Sequence, residues 1–112
     1  MAQTYKRLGA IAPAANTQTN VYVVPAATEA VVSTITICNQ NASNALYSLA
    51  VMPSGAFASP SSNVNFIARD VLVPSLDTII LTIGLTGNAG TVFAGNTSLA
   101  NVSFSMFGSE IT

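Results

Sequence analysis

Apolar and polar residues alternate with a period of two along much of this chain, the spacing of half-buried strands. From Ala30 to Asn39, Val31, Ser33, Ile35 and Ile37 fall on one side, and Val32, Thr34, Thr36 and Cys38 on the other. β-Branched residues dominate the segment, as a pleated surface favours. The turn formers Asn39-Gln40-Asn41-Ala42-Ser43-Asn44 then break the pattern. Ala45 to Met52 resumes it, with Tyr47, Leu49 and Val51 on one side. These two segments are expected to pair as a hairpin. Further on, Asp77 to Leu85 sets Ile79, Leu81, Ile83 and Leu85 against Thr78, Thr82 and Gly84. Thr86 to Gly90 reads as a turn, Thr91 to Ala94 as a short strand and Gly95-Asn96-Thr97-Ser98 as another turn. Asn101 to Ser109 alternates Val102, Phe104 and Met106 with Ser103, Ser105 and Phe107. That is an antiparallel pattern with one face buried.

The flanks follow the same grammar. Tyr5 to Ala12 and Thr19 to Val24 read as short strands, and Pro25 ends the second. Pro53 to Ser62 is the longest irregular stretch, with Phe57 its one large apolar residue. Asn63 to Val73 holds one or two further strands. No long window has a helical period. The expected fold is all-β: one antiparallel sandwich, immunoglobulin-like or jelly-roll-like, over residues 1–112, with about seven or eight short strands. The segments 1–12 and 107–112 are the ones expected to reach neighbouring subunits.

Composition adds a constraint that the pattern alone does not. Only 6% of the residues are charged, against about a quarter in an average domain. Lys6, Arg7 and Arg69 oppose Glu29, Asp70, Asp77 and Glu110, for a formal net charge of -1. Asn, Ser and Thr supply 34 of the positions. Mixed surface charge normally keeps a soluble monomer dispersed, so this surface is expected to be covered by copies of itself or by partners. The pair Lys6-Arg7 is too small a basic cluster for nucleic acid. No apolar run is long enough for a membrane-spanning helix, and the N-terminal residues are not expected to form a secretory signal.

The same inventory removes most chemistry. There is no histidine, hence no histidine-based triad or imidazole metal ligand. Cys38 is the single cysteine, so no disulfide forms within one chain and no cysteine zinc site is built. Cys38 is expected to be a small buried thiol. Asp70 and Asp77 are the closest carboxylates in sequence; they are expected to cap turns rather than to act as an acid/base pair. No catalytic, cofactor or metal-binding residue is expected, and no enzymatic activity. Tyr47 and Phe104 fall on inward faces. The residues expected at subunit contacts are Tyr5, Lys6, Arg7, Tyr22, Phe57, Arg69 and Phe107.

Three stretches carry a resemblance: Thr4-Tyr5-Lys6-Arg7-Leu8-Gly9, Val31 to Asn39 with its Asn/Ser turn, and Val102 to Thr112. Together the chain resembles small virion structural proteins of tailed bacteriophages, particularly those infecting cyanobacteria and other aquatic bacteria. The resemblance implies a β-sandwich made in the host cytoplasm and located in the virion. It would be a homo-oligomer in contact with other virion proteins on the tail, baseplate or fibre. Head decoration is one alternative. A carbohydrate-binding adhesin with a host-surface glycan as partner is the other. No cofactor is expected, and neither nucleic acid nor membrane is expected as a partner.

Overall fold

The computed structural model describes residues 2–52 and 65–112. Phe57, expected at a subunit contact, lies outside the described residues. The elements are all strands: β1 Gln3–Ile11, β2 Thr19–Val23, β3 Glu29–Asn39, β4 Ala45–Met52, β5 Phe66–Val73, β6 Thr78–Gly87, β7 Val92–Thr97 and β8 Val102–Ile111. They form two four-stranded sheets, ordered β1-β8-β3-β6 and β2-β7-β4-β5, and every pairing is antiparallel. Of the consecutive strands, only β4 and β5 share a sheet; every other connection crosses between the layers. This is the strand order of a jelly roll, two Greek keys folded face to face.

That order corrects the expected hairpin. β3 pairs with β6 and β8, while β4 lies in the other sheet between β5 and β7. Asn39 fixes the crossing. Its buried amide donates to the carbonyls of Ser43, Val73 and Pro74 at 2.9, 3.2 and 3.2 Å. Its Oδ1 accepts from the Asn41 backbone at 2.9 Å and the Asn41 amide at 3.0 Å. The side chain therefore binds the β3–β4 crossing to the β5–β6 turn, a pairing no local pattern announces.

Two expected faces also change. Along β3 the buried residues are Ala30 and Val32, then Ile35 and Ile37. A register shift between Val32 and Thr34 switches the phase, so Val31 and Ser33 turn outward. The extra residue is a β-bulge, which strict alternation cannot reveal. Gly95-Asn96-Thr97, read as a turn, extends β7 and pairs with Leu49, Ser48 and Tyr47. Gly95 is there for packing: a Cβ would stand 2.8 Å from the Phe104 ring.

The core lies between the sheets. Val32, Ile35 and Ile37 of β3 and Phe104 and Met106 of β8 meet Tyr47 and Leu49 of β4 and Phe93 of β7. Tyr47 and Phe104 are buried as expected and pack edge to face, with centroids 6.4 Å apart. The β1–β2 flank is closed, because Gly9 lets its strand approach the Val21 carbonyl more closely than any side chain would permit. A second small cluster, Met52, Val92 and Ala94, lies on the other side of the β4–β7 pair from Phe93.

Candidate interaction surfaces

The first sheet's outer face follows directly from the cross-strand register. One row reads Arg7, Phe107, Thr34 and Thr82 across β1, β8, β3 and β6. A second reads Tyr5, Ser109, Val31 and Thr86, and a third Ala10, Ser105, Thr36 and Ile80. Cys38 stands between Ser103 and Thr78; it is half-buried on this outer face rather than enclosed in the core. Hydroxyls and apolar groups make up most of the face, with Arg7 and Glu29 its charges among the described strand residues. Tyr5, at 78% exposure, and Phe107, at 39%, are its aromatic projections.

The expected contact residues divide. Tyr5, Arg7 and Phe107 share this outer face. Lys6 turns the opposite way, and its Nζ sits 2.8 Å from Glu110 Oε1. Arg69, on β5 of the second sheet, lies over the Phe66 ring at 4.9 Å. Tyr22 is corrected: it is buried, its ring stacked on Phe93 at 5.9 Å. Its hydroxyl donates to Glu110 Oε2 at 2.6 Å. Tyr22 belongs to the second sheet and Glu110 to the first, so this bond ties the layers at the closed flank. Thr19 to Val24 did not show that Tyr22 faces inward because β2 is short and has a register shift between Asn20 and Tyr22.

Electrostatics at this tie are one-sided. The Lys6 ammonium, then the Tyr22 hydroxyl, hold the Glu110 carboxyl below its ordinary value. Burial, reinforced by Glu110, raises the Tyr22 phenol well above its usual range. The group is thus an ion pair with a neutral phenol attached, a structural clamp and not a proton donor near neutrality. Lys6 and Glu110 lie at opposite ends of the chain, and only the β1–β8 pairing brings them together.

Asp77 Oδ1 accepts from the Thr78 amide at 2.8 Å, as expected of a turn cap. Asp70, expected to cap a turn, instead lies inside β5 with φ of 52°, where the β4–β5 register shifts, and its backbone N–H donates to Ser48 Oγ at 3.1 Å. A cleft of about 500 Å³ opens at one end of the sandwich, lined by Glu29, Val31, Met52, Thr86, Asn88 and Thr91 among others. Among the described residues, Glu29 is the one titratable group in that lining.

Exposed apolar residues collect around β5 and β6. Leu46 and Leu72 are cross-strand partners, 40% and 51% exposed. Ile67, Leu76 and Ile80 are at least half exposed. Leu76 has φ of 54°, a costly left-handed conformation for a bulky side chain, and its amide is held by the Asn41 carbonyl at 3.0 Å.

The fold and these faces define an eight-stranded jelly-roll sandwich with a charge-poor outer surface. No protein-family model matches the sequence, and neither the curated proteins nor the solved structures contain a significant match.

Proposed function

We propose that the chain is a non-enzymatic structural subunit of a tailed-phage virion, assembling with copies of itself on the tail, baseplate or fibre apparatus. The observation that carries this reading is the outer face of the β1-β8-β3-β6 sheet, which is rich in hydroxyls and nearly free of charge. Short neutral side chains lose little rotamer entropy when covered, and an interface built from them depends weakly on salt. Jelly rolls recur in viral capsid proteins, although they also serve lectins and other functions. The test is to label purified particles of the encoding phage with an antibody against this chain. Label on the tail, baseplate or fibres supports the proposal. Label on the head replaces it with the decoration reading, and absence from particles overturns both. A glycan array is a further arm: binding that is lost in Tyr5→Ala would favour the adhesin instead.

A further inference from the structure

We infer that β6 is the self-association edge, pairing antiparallel with β6 of a second copy about a twofold axis at Thr82. The inference rests on the homo-oligomer reading and names the strand and register that would produce it.

β6 ends the first sheet and, among the described residues, pairs only with β3. An open strand edge is a template for another chain, and proteins usually blunt it with charge, proline or brevity. The other edges have such devices. β1 carries Lys6 and Arg7, β5 carries Arg69 and Asp70, and β2 is five residues long. β6 is ten residues long with neither charge nor proline, and its burial alternates throughout, with one register shift against β3 between Thr82 and Leu85.

Its sequence is also nearly palindromic in chemistry. Thr78, Thr82 and Thr86 recur at intervals of four, and Ile79, Leu81, Ile83 and Leu85 fill the alternate positions. An axis at Thr82 sets Thr78 opposite Thr86 of the partner subunit, Ile79 opposite Leu85 of the partner subunit, and Leu81 opposite Ile83 of the partner subunit. Every inward pair is then aliphatic, and the outward threonines match. The remaining outward residues also fit. Ile80 is 64% exposed, and Gly84, which would face it, has open space where a Cβ would stand. A twofold interface needs a self-complementary patch, and this palindrome supplies one. Antiparallel pairing over these nine positions would add roughly eight backbone hydrogen bonds and join two four-stranded sheets into one of eight.

The test uses the whole chain. Thr82→Cys in a Cys38→Ser background should be linked into a covalent dimer by a bifunctional methanethiosulfonate about 5 Å long, near the Cβ spacing of directly opposed residues. Thr4→Cys in the same background, on the β1 edge, should not be linked. Thr82→Lys places like charges opposite each other at the axis, and its light-scattering mass should fall at least twofold with the circular dichroism unchanged. A wild-type oligomer that keeps its mass in Thr82→Lys and gives no Thr82→Cys link overturns the β6 pairing while the homo-oligomer reading stands. A wild-type monomer overturns both.

Discussion

Removing one oxygen from Tyr22 tests the tie between the two sheets. Tyr22→Phe keeps the ring stacked on Phe93 and opens no cavity, so the loss is confined to the 2.6 Å bond to Glu110. A hydrogen bond to a charged group contributes about 1.5–3 kcal/mol. Glu110 keeps Lys6, which places the expected loss at the low end, about 1.5 kcal/mol, or about 7 °C in Tm for a domain of this size. Lys6 itself is 47% exposed, so its pair contributes at most about 1 kcal/mol. The pH dependence identifies the cause. Glu110 has a folded-state pKa lowered from its ordinary 4.5, first by Lys6 and then by Tyr22. A lowered carboxylate pKa stabilises fully above the unfolded value and ceases to do so as pH falls through the folded one. Urea unfolding of wild type and variant should therefore differ by about 1.5 kcal/mol at neutral pH, and the gap should narrow progressively below pH 4.5. An undiminished gap in strong acid, or none at neutral pH, refutes the argument.

Two further substitutions probe the fold. Asn39→Asp turns a carboxylate toward the carbonyls of Ser43, Val73 and Pro74 and should cost about 3 kcal/mol in urea unfolding at neutral pH; the buried acid's pKa is raised, so the loss should be smaller at mildly acidic pH. Gly95→Ala drives a Cβ into the Phe104 ring and should cost about 2 kcal/mol by overpacking. Combined with Phe104→Leu, its thermal unfolding should show less than the sum of the two single losses.

Strands with regular alternation were legible in the sequence. β6 obeys the period of two throughout its predicted length and β8 does so from Val102 to Phe107, and the inward placement of Tyr47 and Phe104 followed from it. The β3 faces were not legible beyond Val32, because a bulge flips the phase without a marker residue. Strand partners were hidden for a different reason. In a jelly roll nearly every pairing is nonlocal, so the turn after β3 looked like a hairpin although Asn39 directs it across the sandwich. The scarcity of charge on the first sheet's outer face was legible in composition, while the grouping of the candidate contact residues was not. Tyr5, Arg7 and Phe107 share one face, whereas Tyr22 is committed to the interior by a carboxylate 88 residues away.

We propose that copies of the chain cover its charge-poor surface. Light scattering coupled to size exclusion, run across protein concentration and from low salt to about 1 M, where screening is nearly complete, tests it most directly. The expected result is a defined multiple of the 11.4 kDa chain that salt does not dissociate. A monodisperse 11.4 kDa species at the highest concentration would contradict it.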